Sequence, residues 1–240
     1  MKTFVIIGGA SRSGTNSVSC FIQLNDNAIA FGSAAGAHPL NQKQDFIKTL
    51  FEQRKGIQTP YVVNGYPDFE EYLQNKLERI IRDGVGDEEI ISLRWDGGES
   101  IYPYMMGLVP KDVELKLIVC MRPVFKIFRS QYCGGMLDTK DVEPAKRQFK
   151  IRLNATYKHA EHIRSKMPEK VLFVDITGEH AGRDYARIVP FLGLTPNALQ
   201  FAWISQLPVT NKGGKTRDVV PGALPEDFAD LEEIRKELLI

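Results

Sequence analysis

The sequence has almost no net charge, very little cysteine and no long apolar run. Its 31 Lys and Arg balance 30 Asp and Glu, leaving a formal charge of +1. That excludes a global field for nucleic acid or an anionic membrane, so any anion site must be local. No aromatic–basic motif for nucleic acid is present either. The three cysteines, Cys20, Cys120 and Cys133, form neither a disulfide framework nor a metal spacing. Cys20 and Cys120 sit in apolar surroundings and read as buried thiols, which suits a reducing compartment. No stretch of ~20 apolar residues exists to cross a membrane. Lys2 and the apolar residues after it could mimic a signal peptide, but Gly8-Gly9 and Arg12 break the run too early. A cytoplasmic location is the expectation. Internal repeats and low-complexity segments are absent.

What is present suits one α/β domain: 240 residues, 43% hydrophobic and 25% charged, enough apolar material for one large core. The chain is organised around Gly8-Gly9-Ala10-Ser11-Arg12-Ser13-Gly14-Thr15-Asn16. An apolar run (residues 3–8) precedes it, and helical apolar spacing through Val18, Phe21 and Ile22 follows. Strand, glycine-rich turn and helix in that order aim backbone N–H groups and about half a positive charge at one point. This is a phosphate seat. Gly9 to Gly14 has the G-x-x-x-x-G spacing of a nucleoside triphosphate loop, but Thr15-Asn16 stands where Lys and Ser/Thr would follow. The cation is Arg12, inside the loop. The seat suits an anion less charged than an ATP tail, with no metal required. A glycine-rich turn with no ligand is the alternative.

Further strands are predicted at Ala28–Phe31, Glu89–Trp95, Leu115–Met121 and Lys170–Asp175, each buried and parallel in character. Helices are predicted over residues 14–25, 42–53, 69–82, Val124–Tyr132, 143–167 and Asp184–Leu192, with a closing helix from Pro225 onward. Gly193 and Pro196 mark the end of the 184–192 helix. Lys55–Asp68 reads as a loop, either a lid facing substrate or plain surface. Strands alternating with helices imply a three-layer α/β fold, a central parallel sheet flanked by helices. In such sheets ligands sit at the carboxyl ends of the strands. Three features fall there: the 9–16 loop, Asp96 to Ser100, and Arg122 at the end of the Leu115 strand. An arginine at that edge can bind a second phosphate through its fork, or serve as a structural ion pair.

At these residues the chain resembles the P-loop sulfotransferases, which use 3′-phosphoadenosine 5′-phosphosulfate as donor. Ser11-Arg12-Ser13-Gly14-Thr15-Asn16 is similar to the family's 5′-phosphosulfate loop. Arg122-Pro123, with Ser130 eight residues after the arginine, resembles its 3′-phosphate motif. Phe191-Leu192-Gly193-Leu194 is similar to its F-L-G-L helix end, and Lys212-Gly213-Gly214-Lys215 to its late basic loop. The four occur in family order and span nearly the whole chain. The resemblance implies a P-loop-type fold and a role for each match. Arg12 would contact the sulfuryl group and the bridging oxygen. Ser13, Gly14, Thr15 and Asn16 would bind the 5′-phosphate beside Ser11. Arg122 and Ser130 would read the 3′-phosphate, reinforced by Lys212 and Gly213. A sulfuryl group in flight carries less charge than a phosphoryl group, so positioning and one or two fixed cations suffice without a metal.

The acceptor, a hydroxyl or amine, wants a general base. The candidates are Glu99 and Asp96, which follow a strand at the correct edge, and His38, after the second strand. His159, His162 and His180 read as surface. Arg12 replaces the lysine of the family's cytosolic small-molecule branch, which points toward carbohydrate, peptide or lipid acceptors. The lack of an anchor and the initiating Met favour a soluble bacterial or viral protein over a piece of something longer. The competing readings are a P-loop small-molecule kinase, with Asp175 as its fair Mg²⁺ carboxylate, and a non-catalytic binding protein on the same fold.

Overall fold

The computed structural model describes residues 2–25, 27–31, 89–94, 97–176, 181–205 and 220–240. The expected helices over 42–53 and 69–82, the loop between them, and the expectations for His38, Asp96, His180, Lys212 and Gly213 lie outside the described residues.

Five parallel strands form the sheet: β1 (Thr3–Gly8), β2 (Ala28–Phe31), β3 (Ile90–Arg94), β4 (Glu114–Met121) and β5 (Val171–Asp175), in the order β2-β3-β1-β4-β5. Each predicted strand is present, with ends shifted by at most a residue. β1 is buried along its whole length, which is why it reads as an unbroken apolar run rather than an alternating one. Its neighbours are β3, in register Thr3 with Ile90, and β4, in register Thr3 with Glu114. From β1 the chain thus runs first to the edge strand β2, returns to β3 beside β1, and then crosses to β4 on the other side. The resulting switch point, at the carboxyl ends of β1 and β4, is where such sheets open a crevice.

Alternate residues of the strands feed two cores. Phe4, Ile6, Leu117, Val119, Met121 and Phe173 face α2 (Gly98–Leu108), α3 (Val124–Cys133), α4 (Val142–Lys166) and α7 (Ala229–Leu238). Val5, Ile7, Ile118, Cys120, Leu172 and Val174 face α1 (Thr15–Gln23) and α5 (Ala181–Leu192). The three-layer α/β arrangement follows. On the first side Phe128 packs against Phe149 and Phe228, with centroids 5.3 and 4.8 Å apart. This triad knits α3, α4 and the turn before α7 into one body.

Several boundaries differ from expectation for local reasons. The helix after β4 starts at Val124, with Pro123 as its cap rather than its first residue, at ψ 126°. Helix α5 begins earlier, at Ala181, and ends as predicted. Gly193 takes φ +69°, and Leu194 N–H closes back onto Val189 C=O at 3.0 Å, a glycine-terminated helix end. The last segment opens with a tight turn, Pro225–Phe228, before α7 begins. Helices α2 and α6 (Ala198–Ser205) were not anticipated. Of the two cysteines read as buried, Cys120 is, while Cys20 is partly exposed on α1. Among the described residues no helix is long and apolar enough to cross a membrane.

Candidate functional site

The loop after β1 folds under tight steric limits. Gly9 lies at φ +113°, and a Cβ there would fall less than 3.0 Å from the Cys120 carbonyl and 2.9 Å from Ser13 Oγ. Gly14 caps α1 at φ +105°, with no room for a Cβ against Ile176. Arg12 takes φ +73°, the only positive φ among the described non-glycine residues. A side chain held in the left-handed region is strained, and such strain gathers where a loop must present a group in one direction. Ser13 N–H bonds Ala10 C=O at 3.0 Å and closes the turn beneath it. The first turn of α1 carries no acidic residue, so nothing on it offsets the positive helix end.

Helix α3 supplies the second wall. Gln131 Nε2 donates to Ser11 C=O at 2.7 Å, and Arg12 Nε donates to Ser130 Oγ at 3.1 Å. Arg122, between β4 and α3, points its guanidinium at Arg12 C=O, 3.4 Å away. The structure therefore brings Ser11 to Asn16, Arg122 and Ser130 together, although some 110 residues separate the two segments. Burial first, and then the charges of Arg129 and Arg12, hold Arg122 below the ordinary guanidinium range; Asp175 opposes them. Crowded arginines in a partly buried site call for an anion. Two further features agree. Ser13 Oγ and Arg122 Nε are both buried with no hydrogen-bond partner among the described residues. Buried donors without partners are costly, and a bound oxyanion would satisfy them.

Glu99 enters the site from below. It lies on the first turn of α2, only 2% exposed, and its Oε2 accepts the Gly9 N–H at 3.1 Å. Gly97 N–H in turn donates to Gly9 C=O at 2.8 Å. Both peptide groups of Gly9 are thus gripped by the start of α2. Burial pushes the Glu99 carboxyl up, against the lowering effects of its own and the Gly9 N–H, Thr156 and His159. A general base must reach the acceptor's proton. This carboxylate is held against the loop backbone and is only 2% exposed.

Two contributors were not singled out in the sequence. Arg94, the last residue of β3, hydrogen-bonds Asn16 Oδ1 and adds a cation on the α1 side. Its signal was a charged residue ending an apolar strand at the ligand edge. Gln131, 8% exposed, fixes the loop backbone, and no local pattern marks it. His159 and His162 are exposed on α4, as read. Asp175 is held by Arg235 NH1 at 2.6 Å. Among the described residues no group of three or more His, Cys, Asp or Glu is arranged to hold a metal ion. A cleft of about 570 Å³ opens beside the end of α3, between Tyr132 to Lys140 and Val220-Pro221. The same segment carries Met136, whose Sδ meets Ser11 Oγ at 3.8 Å.

No family model matches the chain, and no curated protein matches it in sequence. Solved structures do resemble it. The sulfotransferase domain of a Synechococcus olefin synthase aligns over 97% of this chain and 95% of its own, with TM-score 0.57 and 15% identity. Sulfotransferase STF9 of Mycobacterium avium aligns over 99% of this chain and 76% of its own, with TM-score 0.53 and 11% identity. Sulfotransferase STF1 of Mycobacterium tuberculosis aligns over 100% and 76%, with TM-score 0.53 and 13% identity. At such identities the likeness is one of fold. The chain has a P-loop-type α/β fold of the kind those sulfotransferases share.

Proposed function

We propose that this protein is a sulfotransferase that moves a sulfuryl group from 3′-phosphoadenosine 5′-phosphosulfate to a hydroxyl or amine acceptor. The observation that carries the reading is the convergence of Arg12, Arg122 and Ser130 on a phosphate loop that lacks the triphosphate lysine. Ser13, Gly14, Thr15 and Asn16 would hold the donor's 5′-phosphate, using the helix end and the buried Ser13 hydroxyl. Arg122 and Ser130 would hold its 3′-phosphate, the arginine through its fork and a buried Nε with no other partner. The donor supplies an activated sulfuryl group; this chain's contribution is placement and charge. Arg12 lies between the two anion seats, where its guanidinium can stabilise charge building on the leaving phosphate oxygen. Lys212 and Gly213 would reinforce the 3′-phosphate seat, as the family resemblance implies.

Glu99 acts as support for the loop in this reading, and the base falls to Asp96 or His38. The acceptor approaches along the cleft beside the end of α3. Carbohydrate, lipid or small-molecule hydroxyls are the acceptor classes to offer. The test measures adenosine 3′,5′-bisphosphate formed from the donor in the presence of such acceptors. Acceptor-dependent product that vanishes in Arg12→Ala supports the reading. Equal product from Arg12→Ala and the parent protein contradicts it.

A further inference from the structure

Helix α3 and the arginine before it grip the loop after β1 at neighbouring points. Gln131 Nε2 donates to Ser11 C=O at 2.7 Å, Arg12 Nε donates to Ser130 Oγ at 3.1 Å, and Arg122 NH1 approaches Arg12 C=O at 3.4 Å. The Gln131 amide can face Ser11 C=O in one way only, because a carbonyl accepts and never donates. Gln131 is 8% exposed. Its own backbone is fixed by a glycine-terminated helix end. Met136 N–H closes onto Gln131 C=O at 2.9 Å and Gly135 N–H onto Tyr132 C=O at 3.1 Å, with Gly135 at φ +66°. Met136 leaves that same turn and meets Ser11 Oγ with its Sδ at 3.8 Å. Ser11 is therefore met on its carbonyl by one end of the turn and on its hydroxyl by the other.

The bond from Gln131 matters because of the peptide it holds. Ser11 C=O belongs to the peptide that leads into Arg12, and Arg12 C=O to the peptide that leaves it. Each peptide is a rigid plane, so fixing both fixes the two torsions of Arg12 between them. Arg12 sits at φ +73°, and no other described non-glycine residue has a positive φ. A side chain stays in that region only where its surroundings over-determine it. Gln131 does this as a neutral amide, without occupying a guanidinium that an anion needs. It also follows Ser130 directly on α3, so the anchor of the loop and the hydroxyl proposed for the 3′-phosphate are successive residues of one helix. We propose that Gln131 is a positioning residue that sets the separation of the two anion seats. It holds the loop, with Arg12 in its left-handed conformation, at a fixed distance from Ser130 and Arg122. The inference rests on the sulfotransferase reading of the site, to which it adds a determinant of 3′-phosphate recognition that touches neither phosphate.

Gln131→Met keeps the length of the side chain and loses the donor, so a residue that merely fills space predicts no change. The experiment is calorimetric titration of adenosine 3′,5′-bisphosphate and adenosine 5′-monophosphate into the full chain and each variant. The monophosphate reports the loop alone, whereas the bisphosphate needs both seats at their proper separation. The readout is the ratio of the two affinities, which a general loss of stability does not move. Gln131→Met should lower that ratio about tenfold, the weight of one charge-assisted contact out of place. Gln131→Glu sets an acceptor against Ser11 C=O and should lower it at least as far. In an Arg122→Ala background, where the 3′ contact is already gone, Gln131→Met should lower the ratio no further. Should Gln131→Met fail to fold, Gln131→Glu carries the same comparison. An unchanged ratio in either variant, or an equal fall in the Arg122→Ala background, overturns the inference. No preference for the 3′-phosphate in the parent protein overturns the sulfotransferase reading itself and takes this inference with it.

Discussion

Gly9→Ala isolates what the loop after β1 demands of its backbone. At φ +113° an alanine occupies a region that L-residues rarely adopt, a cost of about 1–3 kcal/mol. Its Cβ also falls within 3.0 Å of the Cys120 carbonyl and 2.9 Å from Ser13 Oγ, with Cys120 N at 3.2 Å. The Cys120 atoms are backbone near the carboxyl end of β4, between the buried strands β1 and β5, so they have little room to move. Overpacking of this kind adds about 1–3 kcal/mol. The sum, about 2–6 kcal/mol, is a large share of the stability of a typical domain. Gly135→Ala is the internal control. It too has positive φ, +66°, but a Cβ there meets nothing within 4 Å, so only the backbone cost of about 1–2 kcal/mol applies. Urea denaturation of both variants beside the parent separates the two terms. If Gly9→Ala is no more destabilising than Gly135→Ala, the packing argument for the loop is wrong.

Arg122→Ala should weaken binding of adenosine 3′,5′-bisphosphate while leaving adenosine 5′-monophosphate unchanged; an equal loss for both ligands would dissociate Arg122 from the 3′-phosphate. Tyr185 is fully buried and its hydroxyl donates to Ser17 Oγ at 2.7 Å, so Tyr185→Phe should cost about 1 kcal/mol in a denaturant melt. Phe128→Ala opens a hole at the centre of the Phe149 and Phe228 contacts and should cost about 3–5 kcal/mol by the same assay. Glu99 gives a pH signature. Its carboxyl is raised above 4.5 by burial, so its contribution to stability is full below the unfolded carboxylate value and is lost as pH rises through the folded value. The stability of the parent protein relative to Glu99→Gln should therefore fall as pH increases from about 4.5; a difference that is flat or rises with pH refutes the assignment.

How much of this was readable beforehand depends on distance along the chain. β1, β3 and β5 announce themselves because they are buried on both faces along nearly their whole length, and an apolar run is all that such burial requires. Helix α2 hid behind Gly98, Pro103 and Gly107, residues that usually break helices; Pro103 is tolerated on the exposed side. Helix α6 hid because its apolar residues do not keep to one face, and Leu199 and Phe201 are exposed. The loop at 9–16 was legible as a tight turn between strand and helix from its glycines and its flanks. That Arg122 and Ser130 lie against this loop was suggested only by spacing that resembles a known motif. The direction of Glu99 was not legible: position at a strand's carboxyl edge says nothing about whether a side chain rises into the crevice or turns beneath the loop. The grip of Gln131 on Ser11 and of Arg94 on Asn16 joins residues 120 and 78 positions apart. Only the folded sheet brings them together.

The measurement that bears most directly on the central claim is calorimetric titration of adenosine 3′,5′-bisphosphate, run beside adenosine 5′-monophosphate and Mg-ATP. A sulfotransferase donor site predicts tight binding of the bisphosphate that depends on its 3′-phosphate and persists in the presence of a metal chelator. Binding of Mg-ATP alone, or of none of the three, would contradict it.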